Sequence, residues 1–287
     1  MLVVRDVASL RAAVAAARAR GERVGFVPTM GALHAGHLSL IERARAQCAC
    51  VVLSIFVNPL QFAPTDDLAT YPRTERDDVA SAAACGATIA FVPGVEVMYP
   101  GARVVTVVPE GISDRWEGAI RPGHFSGVLT VVTKLFNLVQ PDLAVFGQKD
   151  LQQATLIGAL VRDLDMPVTL DIAPIIREHD GLAMSSRNRY LDAGARRAAL
   201  VLSQSLATIA GGFAGGVRTT ATLLADGDAR LRSEAGVQPD YLSIVDPVRL
   251  EPVSMASNGD FVIVAARVGA TRLLDNHRLG DQLSVCA

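Results

Sequence analysis

The 287-residue sequence contains few cysteines, almost no net charge and no long hydrophobic run. The four cysteines form no C-x-x-C pair, so they indicate free thiols of a reducing compartment rather than a disulfide framework. They are Cys48, Cys50, Cys85 and Cys286. A formal net charge of −2 argues against nucleic-acid binding, because proteins that bind nucleic acids usually carry a basic surface. No apolar run is as long as a membrane span.

The start of the chain also lacks the features of a targeting segment. The first twenty residues carry four arginines and have no apolar core of the kind found in a signal peptide. Half of the residues are hydrophobic, which at this length is enough for one large core or two smaller ones. We therefore expect a cytoplasmic protein with no membrane or nucleic-acid partner.

The order of apolar and helical patterns predicts the fold class. Through the first two thirds of the chain, short apolar runs alternate with helical spacing, which predicts parallel strands joined by helices. Residues 103–108 predict one more strand. In the last third of the chain, two helices are expected, separated by a break at Gly211–Gly212 and Gly215–Gly216. We expect an α/β fold, with a Rossmann-like doubly wound parallel sheet over residues 1–177. A smaller C-terminal α+β domain over 178–287 should close over the site.

The stretch from Gly25 to Leu40 combines a strand, a glycine-bearing turn and the start of a helix. The apolar run ends at Pro28, and helical spacing begins at about Gly36. This layout binds phosphate well, because free backbone N–H groups and the helix dipole both point at the turn. His34 and His37 are three residues apart, so both rings should face the same small volume at the helix N-terminus.

Two other interpretations of this stretch are weaker. A P-loop needs Lys and then Ser or Thr after its second glycine, but here His37 and Leu38 follow Gly36. A zinc site needs a third ligand, and the neighbouring residues supply none at the usual spacing. The position after a strand favours nucleotide phosphate. The stretch resembles the H-x-G-H motif of the nucleotidylyltransferase superfamily.

Further candidate residues follow other predicted strands. Gln61 lies between two apolar residues, which is unlike a solvated turn, and we interpret it as a ligand contact. Lys149 stands at a strand-to-helix junction and suits phosphate. Of Gln152 and Gln153, one should point inwards, and the sequence does not choose between them. The hydroxyls and guanidinium of Ser185–Arg187 form a natural phosphate cradle or, alternatively, a polar inter-domain loop.

Six stretches in the same order, spread over nearly the whole chain, resemble the pantothenate synthetase family. They are Pro28–His37, Phe56–Phe62, Tyr71–Thr74, Arg121–Phe125, Phe146–Asp150 and Met184–Asn188. The resemblance implies that pantoate is joined to β-alanine using ATP and Mg²⁺. It also implies a pantoyl-adenylate intermediate, the products AMP and pyrophosphate, and a cytoplasmic homodimer that serves pantothenate and coenzyme A synthesis.

The resemblance assigns roles to individual residues. Those implied in catalysis are His34, His37, Lys149 and Arg187. Those implied in ATP binding are Met30, His37, Gly147, Lys149, Asp150, Ile176, Met184, Ser185, Ser186 and Arg187. Gln61 and Gln153 match the amides that bind pantoate. Asp77 and Asp78 match acids near the metal, although a helix start capped by Thr74, with acids that complement the helix dipole, is the stronger interpretation of both.

Three rival functions share parts of this pattern. A cytidylyl- or adenylyltransferase would also have H-x-G-H but would keep the nucleotide on its product. A nucleotide-binding regulator without activity would not need His34, His37, Lys149 and Arg187 together. A tRNA synthetase would need a longer chain with a basic region that binds the anticodon.

Overall fold

The computed structural model describes residues 1–63, 66 and 68–283, so the predicted free thiol of Cys286 lies outside the described residues. The strands are β1 Leu2–Val4, β2 Val24–Thr29, β3 Cys50–Ile55, β4 Ile89–Phe91, β5 Leu143–Gly147, β6 Thr169–Ala173, β7 Val237–Val245, β8 Phe261–Val268 and β9 Thr271–Arg278. The α-helices are α1 Val7–Ala19, α2 Ala35–Arg45, α3 Glu75–Ala84, α4 Val95–Met98, α5 Trp116–Ile120, α6 His124–Val139, α7 Leu151–Asp163, α8 Ala193–Ala214 and α9 Thr220–Leu231. No described helix has both the length and the apolar character needed to cross a membrane.

The chain divides into two compact units. The first comprises Met1–Gly147 and Gln152–Pro174. The second comprises Gln148–Leu151 and the chain from Ile175 onward. The boundary predicted after residue 177 stays a prediction. The short segment Gln148–Leu151 groups with the second unit although it directly follows β5, because Gln148 and Lys149 form hydrogen bonds with Asn276 of β9.

The first unit is built on a six-stranded parallel sheet with the order β1-β4-β3-β2-β5-β6. Its central strand β3 is buried at every position, as expected when helices cover both faces of a parallel sheet. Phe26 of β2 and Phe91 of β4 are fully buried in the core. The structure confirms the predicted doubly wound, Rossmann-like fold.

The direction of chain progression reverses between β2 and β5. From β2 the chain builds the sheet outward through β3 to β4, whereas β5 pairs with the other edge of β2 and is followed by β6. In open parallel sheets, ligands bind beside the carboxyl ends of the strands at such a reversal. The H-x-G-H turn follows the carboxyl end of β2, and the Gln148–Asp150 turn follows that of β5.

The second unit is the predicted small α+β domain. Strands β7, β8 and β9 form an antiparallel sheet, with α8 and α9 in the same unit. The predicted break at Gly211–Gly212 is wrong, because α8 continues to Ala214. Gly212 instead allows close helix packing: a Cβ there would lie 2.9 Å from Cδ2 of Leu223 on α9. The chain turns only at Gly215–Gly216, where Gly216 has a φ of +98°.

Residues 103–108 form no strand, which corrects the expectation from their β-branched composition. Val104, Val105 and Val108 are 93%, 75% and 68% exposed. Among the described residues, no strand of either sheet pairs with this segment. Strand propensity alone does not make a strand, because the backbone N–H and C=O groups of a strand need hydrogen-bond partners on a neighbouring strand.

Candidate active site

The turn after β2 is held in place from helix α3. The Asp78 carboxylate is buried and accepts hydrogen bonds from the N–H groups of Ala32 at 2.9 Å and Leu33 at 2.8 Å. Gly31 and Ala32 both have left-handed backbone, with φ of +82° and +51°. A Cβ at Gly31 would lie 2.9 Å from Oδ2 of Asp78, so glycine serves both the turn and the close approach. This buried acid therefore shapes the turn that precedes α2.

These contacts bear on the two predicted metal ligands. Besides the two N–H groups, Asp78 accepts a hydrogen bond from Oγ1 of Thr74 at 3.2 Å. These three hydrogen bonds occupy most of the roughly four acceptor positions of a carboxylate, which leaves little of Asp78 for a cation. Asp77 is exposed. No group of three or more His, Cys, Asp and Glu side chains in the described residues could hold a metal ion. Ligation by Asp77 and Asp78 stays a prediction.

His34 and His37 lie together where α2 begins. Their ring centroids are 4.1 Å apart, and both side chains are half-buried. The backbone N–H of His34 donates to Nδ1 of His37 at 3.4 Å. In the neutral ring, an Nδ1 that accepts a hydrogen bond leaves the proton on Nε2, so Nε2–H is the donor of neutral His37. The two histidine rings thus lie at the N-terminus of α2, where the helix dipole already gives a partial positive charge.

The side chain of Gln61 is oriented by a buried hydrogen-bond network. Nδ2 of Asn58 donates to Oε1 of Gln61 at 3.0 Å and to the carbonyl oxygen of Gly127 at 3.1 Å. The Tyr99 hydroxyl donates to Oδ1 of Asn58 at 2.8 Å, and burial raises the pKa of that tyrosine to about 12, which keeps the hydroxyl protonated. Nε2 of Gln61 lies 3.2 Å from Sδ of Met30. The amide oxygen of Gln61 is thus occupied, and its NH₂ group faces the end of β2.

The backbone of Gln61 is held by the Arg121–Phe125 stretch. Its carbonyl oxygen lies 2.8 Å from Nδ1 of His124 and 3.2 Å from Nη2 of Arg121. Arg121 also bonds to the Asp66 carboxylate at 2.9 Å. Burial opposes ionisation of Asp66, but the Ala63 N–H and the Arg121 guanidinium hold the pKa of that carboxyl below its usual range. Arg121 and His124 therefore support a candidate ligand residue.

Sequence reasoning assigned no role in the site to Asn58, Tyr99 or Arg121. Asn58 and Arg121 lie within two of the stretches that resemble the family, and this position is the sequence feature that could have marked them as site residues. Tyr99 has no such signal, because it lies 41 residues from its hydrogen-bond partner Asn58.

The choice between Gln152 and Gln153 is resolved by burial. Gln152 is 5% exposed, and its hydrogen bonds to described residues all involve backbone groups: it accepts from the N–H of Glu117 at 3.0 Å and donates to the carbonyl oxygens of Ile112 and Arg115 at 2.7 and 2.9 Å. It therefore joins α7 to the loop around α5. Gln153 is half-buried, and its assignment to pantoate stays a prediction.

The second unit contains the other predicted phosphate-binding residues. Lys149 and Asp150 lie in the short 3₁₀ turn Gln148–Asp150, where Lys149 is half-buried and forms no ion pair with any described residue. Met184 is tied to Ile176 by a backbone hydrogen bond of 3.0 Å. Oγ of Ser185 accepts from the N–H of Arg187 at 3.3 Å and begins the 3₁₀ helix Ser186–Tyr190.

The predicted residues thus fall into two groups. Met30, His34, His37, Gly147, Gln61 and Gln153 belong to the first unit, and Lys149, Asp150, Ile176, Met184, Ser185, Ser186 and Arg187 belong to the second. The first group lies on the carboxyl ends of β2 and β5 and on the elements that follow β3 and β5. The assigned ligands of these residues remain predictions.

Comparisons with known proteins agree with this architecture. The profile of the pantoate–beta-alanine ligase family matches residues 2–278. The pantothenate synthetase of Stutzerimonas stutzeri is 50% identical over 279 residues, which cover 96% of this chain and 97% of that protein. The solved pantothenate synthetase of Thermus thermophilus is 47% identical with a TM-score of 0.92, covering 97% of this chain and 99% of that one.

A solved pantoate–beta-alanine ligase from Francisella tularensis, complexed with beta-gamma ATP and beta-alanine, is 30% identical with a TM-score of 0.83. The match covers 99% of this chain and 100% of that one. Sequence and structure relatives therefore agree over almost the full chain. This protein belongs to the pantoate–beta-alanine ligase family.

Proposed function

We propose that the chain condenses pantoate with β-alanine at the expense of ATP, giving pantothenate, AMP and pyrophosphate through a pantoyl-adenylate. The observation that carries the proposal is the His34–His37 pair at the N-terminus of α2, beside the reversal point of the parallel sheet. The Francisella tularensis relative, complexed with beta-gamma ATP and beta-alanine, supports both substrates.

The chemistry requires an activated acid. A carboxylate is a poor electrophile for an amine, so it must first acquire a leaving group, and AMP is a good one. Attack of the pantoate carboxylate on the α-phosphorus places charge on the phosphoryl oxygens. Fixed N–H groups and cations stabilise that charge without having to reorganise.

The protein offers such groups in both units. In the first, the proposed donors are Nε2–H of His37, the His34 ring and the free N–H groups of α2, with Met30 and Gly147 beside the nucleoside. In the second, we assign the phosphates to Lys149 and Ser185–Arg187, and the nucleoside to Asp150, Ile176 and Met184. The mixed anhydride would hydrolyse in water, so we expect the residues that contact it to exclude solvent.

Pantoate is assigned to Gln61 and Gln153. Because Asn58 occupies the amide oxygen of Gln61, its NH₂ group is the end available to donate to a hydroxyl or carboxylate. The amide of Gln153 is half-buried and can both donate and accept. Two uncharged amides, those of Gln61 and Gln153, would select a dihydroxy acid by its pattern of hydrogen-bond donors and acceptors rather than by charge alone.

The described residues contain no group of three or more His, Cys, Asp and Glu side chains that could hold Mg²⁺ by themselves, so we assign the cation to the ATP phosphates. Magnesium is commonly held by one or two carboxylates plus substrate phosphates. The Asp78 oxygens already accept three hydrogen bonds, whereas the exposed Asp77 can contribute a carboxylate. We therefore propose that the cation enters with ATP, and its contribution is to neutralise phosphate charge.

A homodimer is part of the proposal, and residues 103–108 support it. These residues form no strand here, but their exposed β-branched side chains favour a strand once a second chain supplies a partner. We expect sedimentation to give the mass of two chains, and Val105→Asp to shift it toward one. A single-chain mass for the unaltered protein would contradict the dimer.

We also propose the cytoplasm as the compartment. Cys48, Cys50 and Cys85 are free thiols, and burial raises the pKa of all three. Unpaired thiols of low reactivity are typical of a reducing environment. Cell fractionation that recovered the protein outside the cytoplasm would refute this assignment.

The adenylate route is tested by labelling the pantoate carboxylate with heavy oxygen. One carboxylate oxygen forms the bond to the α-phosphorus as pyrophosphate leaves, and the amine later breaks the carbonyl carbon–oxygen bond. We therefore expect one labelled oxygen in AMP, measured by mass spectrometry. Label in inorganic phosphate with ADP as co-product would indicate an acyl-phosphate. Absence of pantoate-dependent turnover would favour a nucleotide-binding regulator or another nucleotidylyltransferase.

A further inference from the structure

Strand β9 carries three consecutive buried polar residues, Asp275, Asn276 and His277, at 4%, 2% and 5% exposure. A strand with one solvated face would alternate buried and exposed positions, so both faces are covered here. Polar groups buried this deeply need partners. The partners of two of them belong to the segments that we have assigned to ATP.

Asn276 binds the backbone of the Lys149 turn. Its Nδ2 donates to the carbonyl oxygens of Gln148 and Lys149, both at 3.0 Å. Its Oδ1 accepts from Nε2 of Gln148 at 3.1 Å. Both amide protons and the amide oxygen are thus engaged with two adjacent residues. These three bonds explain why Gln148–Leu151 belongs to the second unit.

Asp275 binds the hairpin that leads to Met184–Arg187. Its carboxylate oxygens lie 2.6 and 2.9 Å from Nη1 and Nη2 of Arg177, a buried two-pronged ion pair. Arg177 forms a bridge with Ala183, and its Nη1 also donates to the carbonyl oxygen of Gly181 at 3.0 Å. The backbone N–H of Asn276 donates to Oδ1 of Asp275 at 2.8 Å, which links the two anchors.

We propose that Asn276 is a positioning residue for Lys149, and that the adjacent Asp275–Arg177 pair holds the Met184–Arg187 segment on the same strand. Two segments far apart in sequence are thereby fixed to one rigid strand before ATP binds. Pre-set cations stabilise developing phosphate charge at no cost of reorganisation. This inference rests on the proposed function, because it presumes that Lys149 contacts ATP.

The test exploits the lysine content of the chain, whose only lysines are Lys134 and Lys149. Acylation by an amine-reactive reagent, followed by peptide mass spectrometry, reports each lysine separately, and Lys134 serves as the internal reference. Asn276→Asp keeps the size of the side chain but sets an acceptor against two carbonyl oxygens. Thr271→Val, a buried position on the same strand, is the matched control.

In the unaltered protein, we expect ATP with Mg²⁺ to protect Lys149 from acylation and to leave Lys134 unchanged. Asn276→Asp should raise the ATP concentration for half-protection by about tenfold or more, because small misplacements of a contacting group are costly. The KM for ATP should rise in parallel, while the KM for pantoate stays within about twofold. A purely structural role would affect both substrates alike. If Asn276→Asp does not fold by circular dichroism, Asn276→Ala takes its place.

The assignment of Lys149 to ATP and the positioning role of Asn276 are overturned by different results. If ATP does not protect Lys149 in the unaltered protein, the assignment of Lys149 to ATP is overturned, and the positioning role with it. If protection is normal there and needs no more ATP in Asn276→Asp than in Thr271→Val, only the positioning role is overturned.

Discussion

Replacing Lys149 by methionine is expected to slow pyrophosphate release from pantoate and ATP by about 10²–10³-fold, the range for losing one preorganised charge-stabilising group. Methionine keeps most of the stem and removes the ammonium, which forms no ion pair with any described residue and so leaves no structural partner unsatisfied. The reaction without β-alanine isolates this step, and rapid-quench measurement of pyrophosphate follows it.

The matched control is Lys134→Met, since Lys134 is the only other lysine. Its Nζ lies 5.7 Å from the centroid of the Tyr99 ring, a contact worth about 0.5–1 kcal/mol of stability. We expect its turnover to stay within about twofold of the unaltered chain. Near-normal pyrophosphate release by folded Lys149→Met would remove Lys149 from the phosphate site.

Gln61→Glu is expected to lower kcat/KM for pantoate by about 10²-fold or more, while the KM for ATP changes by less than about threefold. The carboxylate can still accept from Asn58, but it replaces the NH₂ donor with an acceptor. Sites that recognise a substrate by hydrogen bonds lose heavily when a buried polar group is mismatched. Steady-state kinetics with each substrate varied in turn measures the two parameters.

Gln238→Glu makes the same change at an exposed position of β7 and should leave both parameters unaltered. Equal losses for ATP and pantoate in Gln61→Glu would show that Gln61 has been assigned to the wrong substrate. A loss confined to pantoate would support the assignment of the Gln61 NH₂ group to pantoate.

Much of the fold was predictable because it depends on local patterns. The apolar run before Pro28 predicts a strand and the spacing after Gly36 predicts a helix. The structure confirms both elements, as β2 and α2, with the predicted strand end and helix start correct to within about two residues. The alternation of strands and helices predicts parallel strands, and the first sheet is parallel throughout. The family could also be recognised, since its motifs are short and contiguous.

Predictions failed where a local pattern has more than one tertiary outcome. Residues 103–108 have strand propensity, but propensity does not say whether a partner strand is present. A pair of adjacent glycines often breaks a helix, but here Gly211 and Gly212 lie within α8, and Gly212 allows α8 and α9 to pack closely. In both cases the decisive neighbour is remote in sequence.

The sequence by itself determined the fold class, the order of the elements and the position of the histidines at the start of α2, because these follow from spacing along the chain. Only the tertiary structure decided that Asp78 holds the turn before α2, that Asn58 orients Gln61 and that Asn276 holds the Lys149 turn. Asp78 lies 45 residues from Leu33, and Asn276 lies 128 from Gln148. The physical reason is that burial obliges every polar group to find a partner, and which partners meet depends on the packed chain.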